Sequence, residues 1–338
     1  MAVNTAISTT FDRVWTTTRP EVIPKVWDNV STDIPFIHYL YEKGLVDFVT
    51  GGAALDFMVL KELGQAIGYA PGATTLSPVT LDPATRGRYN WKNLALTFKI
   101  PGPEIAQNQG PNQVANLIAI IVESVRISMV QALGGTSVGI HSSADETNLG
   151  AITGLGNLVK IDSTNNALGT TGTRSRVTNS DWRNTIGTAI TAFGTHGVAR
   201  MRSALFTAQR GNESVDLILL NATAMQNLLA ALTGTYTFNT PLEMRVASTG
   251  RLDVGVPGLN FHGALVMKDA NIAANEIRGI NTKYLRLRVH KDRNLTFSDW
   301  VSMLPVGEDA IAAGCLWMGN LGLTNLAQSF GITGGDTN

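Results

Sequence analysis

The sequence predicts an α+β fold, and three observations carry that reading. Residues Asn93–Ile100 alternate apolar and polar side chains, the period of a half-buried strand. Residues Asn112–Leu133 repeat apolar side chains at helical spacing over a length well beyond any strand. From Asp181 to Leu232 the pattern switches between the two periods, so helices and strands pack in one mixed body.

The elements follow in order. The first 40 or so residues are polar, Thr-rich and broken by Pro20, Pro24 and Pro35, with Trp15 and Trp27 among them; such a segment cannot bury two tryptophans alone and reads as an arm lying on its own body or on a neighbour. Ala53–Leu60 reads as a strand. Between it and Asn93–Ile100, about 30 residues rich in Gly, Pro and Thr are too long for an ordinary turn in a compact domain and form a projecting hairpin. Pro101, Gly102 and Pro103 stop the strand, Asn112 is the expected N-cap, and Gly134-Gly135 ends the long helix. Asp181–Phe193 reads as a helix through Trp182, Ile186, Ile190 and Phe193. Val215–Leu220 reads as a buried strand and Thr223–Leu232 as a helix, while Leu259–Met267 and Tyr284–Val289 read as strands and Ala312–Leu323, with Trp317 and Met318, as another apolar stretch. Asn165–Arg176, with Gly and Thr and no apolar anchor, reads as a mobile loop.

Composition narrows the function. The chain has 338 residues, 44% hydrophobic and 15% charged. That charged share is well under the roughly 25% of ordinary soluble domains, so much of the surface is expected to face other protein. Lys plus Arg is 26 and Asp plus Glu is 26, a net charge of zero that argues against a nucleic-acid binder held by a strong basic field. Cys315 is the lone cysteine, which excludes intrachain disulfides and Cys-cluster zinc sites. The start lacks a basic segment followed by an apolar one, so synthesis in the cytoplasm is expected. The most apolar run, Leu117–Val122, meets Glu123 and Arg126 far short of the roughly 20 residues that cross a bilayer, and no membrane partner is expected.

Motifs for catalysis are missing: there is no phosphate-cradling G-x-x-x-x-G-K-[ST] loop and no H-E-x-x-H, and Gly135–Gly139, which matches G-x-S-x-G, follows the long helix where a nucleophile elbow would need a strand. The five histidines are scattered and read as structural. Gly150 to Gly156 departs from G-x-G-x-x-G and reads as a tight loop. The chain is therefore expected to be no enzyme, with no catalytic residue, cofactor or metal. Arg286 and Arg288 alternate with Leu285, Leu287 and Val289, giving one strand a basic and an apolar face, with Arg293 just beyond. A solvated face is one reading; contact with a neighbour's carboxylates or with phosphates is the other. Arg86, Arg88 and Trp91, at the base of the projection, are candidates to reach a neighbour.

The order of parts, namely an arm with tryptophans, a long strand-loop-strand projection, a long helix, a mixed α/β body and a return in strands, resembles the major capsid protein of tailed bacteriophages, the Hong Kong 97 fold family. FHGALVMKDANIAANEIRGINTKYLRLRVHKDRNL (Phe261–Leu295) is similar to the family's strand, aspartate, short loop and G-x-N-x-x-Y-L strand. AGCLWMGNLGLTNLAQSFGI (Ala313–Ile332) resembles its closing strands, and VDLILLNATAMQNLLAAL (Val215–Leu232) the strand-Asn-helix unit of its axial domain.

The resemblance implies an N-terminal arm over residues 1–44, an extended β-hairpin loop over 45–100, a peripheral domain with the long spine helix over 101–140, an axial α/β domain over 141–280 and a return to the peripheral domain over 281–338. It implies self-assembly through pentamers and hexamers into an icosahedral shell, the virion capsid of a tailed bacteriophage made in the bacterial host cytoplasm, holding double-stranded DNA by weak non-specific contact. Trp15, Trp27, Lys61, Arg86, Arg88, Trp91, Arg286, Arg288 and Arg293 are then the inter-subunit candidates. With no charged helical segment ahead of the arm, a separate scaffold or none is implied, along with portal and decoration proteins as partners. Relatives that join subunits by a Lys–Asn isopeptide bond would use Lys61 with Asn320 or Asn325, but no local carboxylate marks a catalyst and no cross-link is expected. Two alternatives are an encapsulin-type nanocompartment, against which the long 45–100 segment weighs, and a small-molecule α/β enzyme, for which no convergent polar cleft can be assembled.

Overall fold

The computed structural model describes residues 34–52, 55–60, 84–107, 117–235 and 259–337. Trp15, Trp27, Lys61 and Asn112 lie outside the described residues.

The first described element is a helix, α1 (Pro35–Glu42), inside the stretch expected as an arm. Pro35 stands at the first helical position, where a missing N–H costs nothing and the fixed φ suits a helix, so this proline starts a helix instead of breaking one. Phe36, Tyr39 and Leu40 are buried, which makes residues from Ile34 onward part of the body. β1 (Val46–Val49) then runs parallel to β12 (Leu285–His290), with Asp47 opposite Arg288. β2 (Leu55–Leu60) and β3 (Ala84–Tyr89) form an antiparallel ladder of their own, Leu60 opposite Ala84. In β4 (Lys92–Pro101), Leu94 and Ile100 are buried while Asn93, Ala95, Thr97 and Lys99 are exposed, the expected alternation. β1 and β4 are strands of the first sheet, so the span 45–100 is a loop only in its middle.

A short helix, α2 (Gly102–Gln107), follows where Pro101, Gly102 and Pro103 predict only the end of the strand. The long helix is α3 (Leu117–Gly134), about 27 Å at 1.5 Å per residue. Val125, Met129 and Leu133, four residues apart, point into the core while Glu123, Ser124 and Arg126 face out.

The first sheet is organised by β15 (Ala310–Leu323). One edge of β15 carries β4 over ten residue pairs, and the other carries β14 (Val301–Ser302), β13 (Thr296–Phe297) and β12 in succession. The second sheet has the order β7 (Thr185–Ile186), β16 (Phe330–Thr333), β11 (Glu276–Ile280), β8 (Leu217–Leu220), β10 (Ala264–Lys268), β9 (Leu259–Phe261). Because side chains alternate along a strand, β8 serves two cores. Leu217 and Leu219 join α1, α3 and the first sheet in one cluster, and Ile218 and Leu220 join α4 (Val198–Ala208) and α5 (Ala222–Thr235) in the other. β16 belongs to the second sheet, so the expected return over 281–338 is split: β12 to β15 complete the first sheet and β16 the second.

Three local readings are corrected. Asp181–Phe193 is not a helix. Ser180–Trp182 is a 3-10 turn, β7 follows, and Phe193–Gly197 is a wide turn leading into α4. Trp182, Ile190 and Phe193 are buried all the same, but from extended backbone: the N–H groups of Thr185, Gly187 and Ile190 donate to the carbonyls of Ser329, Gly331 and Thr333 at 2.9, 2.9 and 2.8 Å. Thr185, Ile186, Thr188, Ile190 and Thr191 are β-branched and favour that outcome. Leu259–Met267 is a hairpin, not one strand. His262 and Gly263, at φ 49° and 90°, make the two-residue turn that matches strand twist.

Residues Asn165–Arg176 are no mobile loop. They wrap a buried cation. Arg176 is 0% exposed, and its guanidinium donates to Thr171 Oγ1 (2.9 Å), Asn166 Oδ1 (2.5 Å), Asn184 Oδ1 (3.2 Å) and the carbonyls of Asn157 and Leu158 (both 2.8 Å). Every acceptor is neutral. Burial pulls the guanidinium pKa down to about 10, still far above neutrality, so the charge stays on. The short hairpin β5 (Thr170–Thr171) and β6 (Arg174–Ser175) closes over it. The anchors sought in the sequence were apolar; those used are amide and hydroxyl oxygens.

Candidate inter-subunit surface

The β2–β3 ladder stands on this polar cluster. The Arg88 N–H donates to the Gly172 carbonyl at 2.8 Å, and Phe57 stacks on Tyr89 and Trp182 at centroid separations of 5.2 and 5.7 Å. Trp182 Nε1 donates to the Thr171 carbonyl at 2.9 Å, and the Tyr89 hydroxyl donates to the Leu323 carbonyl at 2.8 Å. The ladder is thus tied to the first sheet and to the β5–β6 hairpin through aromatic rings whose polar ends are satisfied.

Arg86 and Arg88 both reach Asp56 across the ladder, the Arg88 Nε at 2.8 Å. The hydrogen bond from Arg88, ahead of that from Arg86, holds the Asp56 carboxyl below its ordinary value. These two cations are therefore engaged within the chain. Trp91 is engaged too: its Nε1 donates to the Gly52 carbonyl at 2.8 Å and its ring meets His290 edge-on at 5.9 Å. Arg293 is exposed in a 3-10 turn and pairs with no carboxylate among the described residues.

β12 has the two faces read from its sequence. Leu285, Leu287 and Val289 are buried and Arg286, Arg288 and His290 half-buried. Arg288 Nε lies 3.6 Å from Asp47 Oδ2, and Arg286 Nη1 donates to the Leu285 carbonyl at 2.8 Å. Phe57, Tyr89, Arg286, Arg288, Asn320, Gly322 and Thr324 line an open cleft of about 30 Å³. Gly322 leaves room for the Tyr89 ring, which a Cβ would meet at 3.0 Å. A second exposed feature is apolar: Trp300, Val301, Leu304 and Val306 cluster at the β14 tip, Leu304 and Val306 being 67% and 78% exposed. Phe98 meets the Trp300 ring edge-on at 5.4 Å and holds the base of that tip.

Several polar groups escaped sequence reading. Lys92 is 0% exposed, and its Nζ donates to the carbonyls of Asp145 (3.2 Å), Glu146 (3.3 Å) and Asn148 (2.5 Å). Burial pushes its pKa down, against the pull of Glu146 and Asp145. Glu146 accepts from the Asn90 N–H at 2.9 Å and from Thr153 Oγ1 at 2.5 Å. Asn320, a cross-link candidate in the sequence reading, is closed within this network: it accepts from the N–H of Thr153 and donates to the Asn90 carbonyl. His141 Nε2 lies 3.2 Å from Asp269 Oδ2, both buried. Burial raises the Asp269 carboxyl, but the His141 contact and the Asn271 N–H outweigh it and leave it below its ordinary value. Gly154 and Gly156 pack against the backbone at Ser142 and Ser143, the tight-loop role. Among the described residues no group of three or more His, Cys, Asp or Glu is placed to hold a metal, and no helix is long and apolar enough to cross a membrane.

The junction between the sheets carries a titratable lock. Glu213, just before β8, accepts from Lys283 Nζ and the Tyr284 hydroxyl, and these bonds hold its pKa down to about 2 from 4.5. Its contribution is fully present above pH 4.5 and is lost as pH falls through about 2. We expect the urea midpoint of the parent to fall over that window by more than that of Glu213→Gln. Parallel curves for the two proteins would remove Glu213 from the acid response.

No protein-family model and no curated protein matches the chain. Solved structures do. A chain of the cyanophage A-1(L) capsid asymmetric unit aligns at TM-score 0.66 and 17% identity, covering 96% of this chain and 99% of that one. A chain of the capsid of Myoviridae phage XM1 aligns at TM-score 0.57 and 10% identity over 93% and 96%. A chain of the capsid of the native GTA particle aligns at TM-score 0.55 and 10% identity over 95% and 97%. The chain has the fold of these capsid chains from end to end.

Proposed function

We propose that this chain is a major capsid protein: a structural subunit that assembles through pentamers and hexamers into an icosahedral shell enclosing the double-stranded DNA of a tailed phage. The observation that carries the reading is the fold match over nearly the whole of both chains, 96% of this one and 99% of the cyanophage capsid chain. Three features support it. The balance of 26 cations against 26 anions suits a subunit that meets its own kind and encloses DNA loosely. The exposed apolar tip at 300–306 is surface that a lone globule keeps covered. The low charged share fits large interfaces, which in obligate assemblies exceed roughly 2,000 Å².

In this reading the β2–β3 ladder and the residues between them are the extended loop that grips the adjacent subunit, the first sheet with α3 is the peripheral body, and the second sheet with α4 and α5 is the axial body. Portal, scaffold or decoration proteins and DNA are the partners, and the subunit does no catalysis. Head-to-tail contacts closing into rings are the heterologous kind. Negative-stain electron microscopy of the expressed protein, alone and with a coexpressed scaffold, tests this. Closed shells or five- and six-membered rings are expected, with nuclease-protected DNA inside particles from infected cells. A uniform monomer at high concentration under every such condition would refute the proposal, and protein-filled shells would move it to a nanocompartment.

A further inference from the structure

We infer that the cleft between β12 and the β2–β3 ladder is the seat of an acidic side chain contributed by a second copy of this chain; the inference rests on the shell-subunit reading above. The cleft holds more cation than anion. Arg286 spends one nitrogen on backbone carbonyls and meets no carboxylate among the described residues, and Arg288 has only Asp47, at 3.6 Å. The other polar atoms lining it are occupied. The Tyr89 hydroxyl donates to the Leu323 carbonyl, the Asn320 amide makes bonds to Thr153, Leu321 and Asn90, and the Thr324 hydroxyl donates to the Tyr284 carbonyl at 3.3 Å. What remains free is guanidinium N–H, which takes an anion and favours the planar two-oxygen geometry of a carboxylate.

The cleft is small, about 30 Å³, room for one or two water-sized groups, and a carboxylate head fits it. The Phe57 and Tyr89 rings offer apolar surface to the methylene stem behind such a head. The chain itself supplies the donors: Glu42, Glu104, Asp292 and Asp299 are exposed and pair with no cation among the described residues. Exposed carboxylates and a cleft with spare guanidinium N–H on the same chain are complementary charges for a contact between two copies.

The test uses the full chain under the conditions in which the parent forms shells. R286E/R288E is expected to fold, by circular dichroism and melting, yet to give at least about tenfold fewer closed particles, whereas R286K/R288K assembles. One charge reversal among E42K, E104K, D292K and D299K is expected to restore particles in the R286E/R288E background. Should R286E/R288E unfold, R286Q/R288Q takes its place in the assembly measurement alone, where the same loss of particles is expected and parental yield overturns the inference. Assembly of the reversed cleft at parental yield, restoration by none of the four acids, or shells that form normally but lose only their DNA would each overturn the inference, the last in favour of a phosphate. A parent chain that never assembles refutes the shell reading itself, a different outcome.

Discussion

Arg176→Leu is expected to leave no cooperatively folded subunit. The leucine removes five hydrogen bonds at once and abandons the acceptors on Thr171, Asn166, Asn157 and Leu158 in a fully buried site, while Asn184 Oδ1 keeps the Lys160 N–H. Each stranded buried acceptor costs about 1–3 kcal/mol, so even the low end of the sum is comparable with the roughly 5–15 kcal/mol that hold an ordinary domain together. Arg176→Lys keeps the charge but offers three donors without the planar fork, and an intermediate loss of melting temperature is expected. Thermal unfolding followed by near-ultraviolet circular dichroism reads all three proteins. If the leucine variant melts within a degree or two of the parent, the polar cluster contributes little and the ladder does not depend on it.

The second large effect concerns assembly rather than folding. Leu60 and Ala84 are directly opposite in the ladder, so residues 61–83 can be replaced by a two-residue Asn-Gly turn without disturbing the register. The shortened subunit is expected to keep the parental melting temperature within a few degrees, because Phe57, Tyr89 and Arg88 stay in place. It is also expected to form no closed shells. Size-exclusion chromatography and electron microscopy separate the two results, and normal shells from the shortened chain would show that the grip lies elsewhere.

What the sequence revealed and what it hid follow a physical line. β4 and β12 were legible because one face of each is buried and the other wet, which writes the period of two directly into the residues. The middle of α3 was legible for the corresponding helical reason. β8 was legible as buried, but four consecutive apolar residues cannot say that alternate side chains go to separate cores. The false helix at 181–193 arose because Trp182, Ile186, Ile190 and Phe193 fit helical spacing, while the partner that drew this backbone into extended form is β16, far along the chain. The polar clusters around Arg176 and Lys92 were hidden for a different reason. Burial of a cation is announced by the oxygens that surround it, and most of those are backbone carbonyls that every residue carries. Of the inter-subunit candidates, Arg86 and Arg88 looked free only because Asp56 lies on the opposite strand. Arg286 and Arg293 pair with no carboxylate among the described residues.

The two sheets share a dependence on late-made residues that bears on how the chain comes to be folded. β4 has no sheet partner until β15 is made, and β7 and β11 lie beside a strand, β16, that is made later still. Contacts of such sequence separation carry a high loop-closure cost and fold slowly. A ribosome-bound chain that has emerged through β11 therefore presents the edges of β4 and β11 without their β15 and β16 partners, in the form that chaperones bind and that aggregates at high local concentration. Late pairing of this kind places folding rate and chaperone supply, beside the stability of the finished chain, among the factors that set soluble yield.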